Sequence, residues 1–171
     1  MEKFTGTDAR NLWWITIIKP PSSDDRIHLK TILIDDGWAI RTDGHRLFGT
    51  LLIRPAVPDG MYYIIKRAKN NFQILRDATL DHKTNYPNWR NIFPHHTEHN
   101  HRTIPVANAN TAAIVLFKNN IYLDLKYIID LFKDDCEYDL RLYKGTNKSP
   151  AITFSSGDHR LALIMPLRHP S

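Results

Sequence analysis

Three groups of residues in this chain could do chemistry. His95, His96, His99 and His101 stand with Glu98 in one short stretch, and His95 and His99 have a spacing compatible with metal ligation. Asp43 with His45, and Asp158 with His159, place a carboxylate beside an imidazole, the pairing that general-base catalysis uses. Cys136 is the one thiol. Each group falls short of a site. The histidine stretch has neither a cysteine nor a defined helix, so a histidine-bearing loop is the plainer reading beside a metal site at His95 and His99. Neither Asp–His pair has a nucleophile in a strained elbow, and there is no glycine-rich phosphate loop. The chain reads as a binding protein rather than an enzyme, with no cofactor implied. A metal-dependent enzyme using the histidine loop is the competing reading from another class.

The chain has 171 residues, enough for one domain with a real core and too few for several. A formal net charge of +5 and a pI near 9.3 favour partners that carry negative charge. A single cysteine rules out an internal disulfide framework and fits a reducing, cytoplasmic setting. The opening residues lack the basic-then-apolar layout of a signal peptide, and no apolar run approaches the roughly 18 residues of a membrane span. A soluble protein without a membrane partner is expected.

The elements that must position these residues fall into two similar halves. Phe4 to Ile18 predicts a short strand entering a helix capped by Thr7 and stopped by Pro20-Pro21. Strands are expected over His28–Ile34, Trp38–Arg41, Leu47–Arg54, Met61–Lys66 and Phe72–Leu75. They are separated by turns at Asp35-Asp36-Gly37, Asp43-Gly44, Asp59-Gly60 and Asn70-Asn71. From about 76 to 105 the chain is polar, with Pro87, Pro94 and Pro105, and reads as a surface connector. Beyond it, strands are expected at Ala112–Phe117 and Ile121–Leu123. A helix capped by Asp124 follows, with Leu125, Ile128, Ile129 and Phe132 on one stripe. Strands at Tyr138–Tyr143, Ala151–Phe154 and Leu161–Leu167 complete the half. Asp43-Gly44-His45-Arg46-Leu47 is echoed by Gly157-Asp158-His159-Arg160-Leu161, which argues for an internal repeat. The expected fold is α+β: two helices packed on antiparallel sheets in one domain over 1–171. Its first unit covers about 1–75, its connector about 76–105 and its second unit about 106–171, with pseudo-twofold repetition.

Four segments, in order, resemble the bacterial DNA sliding clamp, the beta subunit of the replicative polymerase. Arg41-Thr42-Asp43-Gly44-His45-Arg46-Leu47 is similar to the family's Ala-Thr-Asp-Gly-His-Arg-Leu, and Leu163-Ile164-Met165-Pro166-Leu167-Arg168 to its C-terminal Val-Val-Met-Pro-Met-Arg. Asn85 to Pro94 resembles its Phe-Pro-Asp-Tyr-Arg-Arg-Val-Leu-Pro segment, with Asn91 in place of the second arginine. His28 to Leu33 sits where the family has Tyr-Leu-Asn-Gly-Met-Leu. The resemblance implies a single clamp-like domain in place of the family's three. It also implies a pocket for short peptide motifs of polymerases and other clamp-binding proteins. That pocket would be lined by Leu29, Thr42, Gly44, His45, Arg46, Leu47, Pro87, Ile92, Leu163, Met165, Pro166, Leu167 and Arg168. Apolar and adaptable side chains such as Met165 suit that use.

The same resemblance implies helices that present cations to double-stranded DNA without reading its sequence. Arg10 and Lys19 are the candidates from the first helix, Lys126 and Lys133 from the second, and Lys66, Arg67 and Lys69 form a denser cluster. The family's ring has six domains, so a one-domain chain encircles DNA in that way only as a hexamer. The alternative is a peptide-binding module, monomeric or a small oligomer, that keeps the pocket without a ring.

Overall fold

A computed structural model describes residues 1–20, 22–53, 57–82, 86–92, 101–143, 152–157 and 159–165. Its contacts divide the chain into two units, Met1–Trp89 and Arg90–Ser171. In the first, strand β1 (Glu2–Phe4) enters helix α1 (Gly6–Ile15), and a helical turn α2 (Ile27–Lys30) precedes three strands. These are β2 (Ile32–Asp35), β3 (Trp38–Thr42) and β4 (Arg46–Leu51), and the hairpin β5 (Gly60–Ala68) and β6 (Asn71–Asp77) follows. The sheet runs β1-β6-β5-β2-β3-β4, antiparallel throughout. In the second unit come β7 (His101–Val106), α3 (Ala109–Lys118), α4 (Leu125–Leu131), β8 (Tyr138–Tyr143), β9 (Ile152–Ser156) and β10 (Arg160–Ile164). Its sheet runs β7-β8-β9-β10, again antiparallel.

The α+β class is as expected, and the same element order recurs: strand, helix, short helix, three-stranded meander. The Asp-Gly-His-Arg-Leu echo falls at equivalent places, the β3–β4 turn and the β9–β10 turn. In each unit the echoed arginine, Arg46 or Arg160, is the buried first residue of the last meander strand.

Helix α1 lies on the first sheet because one side of it is apolar. Ala9, Leu12, Trp14, Ile15 and Ile18 are fully buried, and Trp14 stacks on Phe48 of β4 with centroids 4.7 Å apart. The buried carboxylate of Asp8, in the helix's first turn, accepts a 2.8 Å hydrogen bond from the Ile53 backbone N–H, tying the helix start to the end of β4. Thr5 rather than Thr7 is the N-cap. The helix ends before Pro20 is reached, because the Thr16 hydroxyl and backbone N–H both turn back to the Trp13 carbonyl.

Four elements depart from expectation. His28–Lys30 is helical rather than extended, with the Thr31 hydroxyl donating to the Ile27 carbonyl across the turn. Ala112–Phe117 lies inside α3 rather than in a strand. Asn108 caps that helix by accepting from the Thr111 N–H at 2.9 Å, and an unbroken apolar run looks the same in a buried strand as in a helix. Ile121–Leu123 forms no strand. The connector is shorter than expected, since β6 runs to Asp77 and β7 begins at His101. Asp124 caps α4 as expected, but the helix buries Ile128 and Leu131 and leaves Leu125 and Ile129 exposed.

In the second unit Leu140, Phe154 and Ala162 lie side by side across β8, β9 and β10. Tyr138 sets its ring edge against Phe132 and Phe154. Among the described residues no helix is long and apolar enough to cross a membrane.

If the Trp14–Phe48 stack holds α1 to the sheet, Trp14→Ala should cost about 3–5 kcal/mol. Urea unfolding followed by circular dichroism measures it as a lowered midpoint.

Candidate functional site

The turn between β3 and β4 is built from its own side chains. Asp43 Oδ1 accepts the backbone N–H groups of His45 (3.0 Å) and Arg46 (2.8 Å), and its Oδ2 takes Arg46 Nε (2.9 Å) and Nη2 (2.8 Å). The Thr42 hydroxyl donates to the Arg46 carbonyl at 2.7 Å and accepts from the Gly44 N–H at 3.1 Å. Thr42, Asp43, Arg46 and Leu47 are buried, while Gly44 and His45 face outward. Gly44 has φ +90°, a conformation that side-chain-bearing residues rarely adopt. A Cβ there would stand 3.5 Å from Arg26 Nη2.

Arg26 brings the start of α2 to this turn. It forks onto Asp24 at 2.6–3.2 Å, and that hydrogen bonding holds the Asp24 carboxyl down at about 2. Leu29, one turn further along α2, is fully buried. His28 meets the Tyr86 ring edge-on at 6.0 Å, and burial, followed by the Arg26 charge, lowers its pKa. The Tyr86 hydroxyl donates to the Ile40 carbonyl at 3.4 Å, and Trp89 Nε1 donates to Asp35 Oδ2 at 2.8 Å while its ring leans on Trp38. Pro87 is exposed between these two anchors, and Ile92 is exposed just beyond the 3-10 turn Trp89–Asn91.

One corner of the first unit therefore gathers Leu29, Thr42, Gly44, Arg46 and Leu47. Tyr86 adjoins it through His28, and Pro87 follows on the exposed stretch that leads to Trp89 at the other end of β3. Arg26, His28, Tyr86 and Trp89 were not singled out from the sequence. Trp89 and Tyr86 make contacts 54 and 46 residues away, which no local pattern reveals. In the second unit Leu163 is buried in β10 and Met165 is exposed just after it. Pro166, Leu167 and Arg168 lie outside the described residues, as do His95 and His99. Among the described residues no group of three or more His, Cys, Asp or Glu could hold a metal ion.

Arg41, in the position of the resembled segment's alanine, pairs in register with Phe48 and so shares the α1 side of the sheet. It is buried, its Nε and Nη1 have no hydrogen-bond partner among the described residues, and burial lowers its pKa.

Of the cations expected to meet DNA, two come together at the end of α1. Arg67 donates to the Thr16 hydroxyl at 2.8 Å and lies 5.2 Å from the Trp13 ring centroid, and Lys69 Nζ lies 4.4 Å from the same ring. Both stand at a helix C-terminus, where positive charge is favoured. Arg10, Lys19 and Lys66 are exposed. Lys126 and Lys133 instead both pair with the buried carboxylate of Asp130.

The chain was compared with known proteins. No family model and no curated protein matches it. Solved structures do. The DNA polymerase III beta chain of Streptococcus pneumoniae superposes with a TM-score of 0.60 over 98% of this chain at 14% identity. It shares the sliding-clamp fold. The DNA polymerase sliding clamp of Bacillus subtilis matches with a TM-score of 0.57 at 15% identity, and the beta subunit of Thermotoga maritima with 0.57 at 10%. The chain spans 64% of the Streptococcus pneumoniae and Bacillus subtilis clamp chains, just under two thirds of their length. At such identities the shared property is the fold.

Removing the Asp43 carboxylate would take its charge partner from the buried Arg46 guanidinium and the acceptor from two N–H groups. Asp43→Ala is expected to cost about 3–5 kcal/mol, and Asp43→Asn, which keeps an acceptor for the N–H groups, to cost less. Chemical unfolding of the two variants side by side checks the order.

Proposed function

We propose that this chain is a clamp-fold binding protein of DNA replication or repair that receives short peptide motifs from polymerase-like partners. The observation that carries the reading is the corner formed by α2, the Thr42–Leu47 turn and the Tyr86–Pro87 segment. There a braced turn presents the Gly44 backbone and the His45 imidazole beside apolar side chains. In this reading the buried Leu29 and Leu47 support α2 and the turn from beneath, Arg46 stiffens the turn from within, and Pro87 supplies a rigid apolar rim. Ile92, Leu163, Met165, Pro166, Leu167 and Arg168 keep the peptide-contact role that the sequence resemblance gives them. Burying two apolar peptide side chains would contribute roughly 3–6 kcal/mol before ordering costs. No catalytic step and no cofactor are assigned.

A fluorescently labelled peptide carrying a clamp-binding motif, titrated by anisotropy, tests this. His45 and Met165 are exposed, so His45→Ala and Met165→Ala leave the fold intact. Each is expected to weaken binding by about 5–30-fold. Equal affinities in all three proteins, or no binding in any, would remove the proposal.

A second reading, a ring around double-stranded DNA, is supported by the Arg67–Lys69 cluster on Trp13 and by the net charge of +5. It requires a hexamer by the family's domain count. It predicts retention on circular but not on linear duplex, with a salt-dependent on-rate. Light scattering that shows only smaller species, with no preference for circular DNA, argues for the module without a ring.

A further inference from the structure

Helix α3 carries Ala112-Ala113-Ile114-Val115-Leu116-Phe117, apolar without a break. A helix that is apolar all round belongs under cover all round. Its own unit covers one side only: Ala112 and Leu116 are buried, whereas Ile114 is 56% and Phe117 69% exposed. Helix α4, packed beside it, repeats the pattern. Ile128 and Leu131 are buried, whereas Leu125 and Ile129, one turn apart, are 54% and 47% exposed. Tyr122, on the link between the helices, is 42% exposed and meets the Phe117 ring edge-on at 6.3 Å, continuing the exposed row of α3 onto the link. Scattered exposed side chains are ordinary, but four large ones on two neighbouring helices and a fifth on their link are not.

The size and charge of this face decide what fits it. An aromatic side chain offers on the order of 200 Å² and an aliphatic one somewhat less, so the five exposed fractions leave about 500–600 Å² of apolar surface. Two such faces together would bury about 1,000–1,200 Å², the size at which specific protein interfaces begin. The charges on and beside the two helices are mixed, Lys118, Lys126 and Lys133 against Asp124, Asp130 and Asp134, and Lys126 and Lys133 share the Asp130 carboxylate. Such a face holds little for a nucleic acid or an acidic peptide, while an identical face meets it with little like-charge repulsion.

We propose that this face is covered by the same face of a second copy of the chain, α3 and α4 of one protomer packing on α3 and α4 of the other in a two-fold contact. The contact uses none of the peptide-corner residues of Met1–Trp89, so either proposal can fail while the other stands.

Sedimentation velocity of the full chain across the micromolar range is the first test, with a concentration-dependent dimer expected. F117D/I129K changes two exposed positions and should weaken the dimer by about 100-fold or more, the scale of losing four large apolar side chains from one interface. Its circular dichroism and its peptide affinity should match the wild type. A second measurement needs no variant: hydrogen exchange of α3 and α4 in the wild-type chain should slow as concentration rises through the dimer transition. A wild-type monomer at every concentration overturns the proposal, whatever else the face then binds. So does a dimer that F117D/I129K leaves intact, or a dimer whose formation leaves exchange in α3 and α4 unchanged.

Discussion

A guanidinium taken out of water is costly unless a carboxylate meets it. Arg41 is buried with two nitrogens unmet among the described residues, but at two other places the pair is made. In the first unit Arg46 finds Asp43 three residues away, within the same turn. In the second, Arg160 finds Asp134 at 2.7 Å and also donates to Cys136 Sγ at 3.0 Å, across 26 and 24 residues. Both arginines open the last strand of a meander. The local pair fixes a turn and leaves its tip outward; the distant pair instead ties a strand to the segment after a helix. Equivalent positions thus serve different ends, and in the first the exposed His45 sits in a turn braced by Asp43.

That frame suits the peptide-binding role proposed for the corner. Asp43 has both carboxylate oxygens occupied by its own turn, so it is not placed to take a proton from a substrate. What remains on the surface is shape: a glycine tip, an imidazole and a proline that follows the buried Tyr86. Pre-set geometry of this kind favours binding because little has to be ordered when a partner arrives.

The turns were legible in the sequence because they are local. Asp36-Gly37 has φ values of +52° and +77°, as an Asp-Gly hairpin turn should, and Asp59 adds to it by accepting the Asp36 N–H. The Thr42–Leu47 part of the corner was legible for the same reason. Helix α3 was not, since an unbroken apolar run carries no period to separate helix from strand. The face of α4 was misread because Leu125 and Ile129 obey the helical spacing but point away from their own sheet. Tyr86 and Trp89 stand in a segment that the resemblance picks out, but their anchoring roles, like that of Arg26, depend on chain crossings. A tryptophan at 89 acquires meaning only when β2 brings Asp35 to it.

The hairpin β5–β6 separates β1 from the meander that follows it, so the first strand pairs with residues some seventy positions later, Glu2 opposite Ile74 and Phe4 opposite Phe72. The second unit has no such detour, since β7 joins β8 directly. During synthesis the first strand must therefore wait, unpaired, until nearly the whole of its unit has left the ribosome. Contacts of that sequence separation slow folding and leave an open edge while they form. The two units, alike in the order of their parts, are thus set to differ in the order of their assembly, with the N-terminal edge the late step.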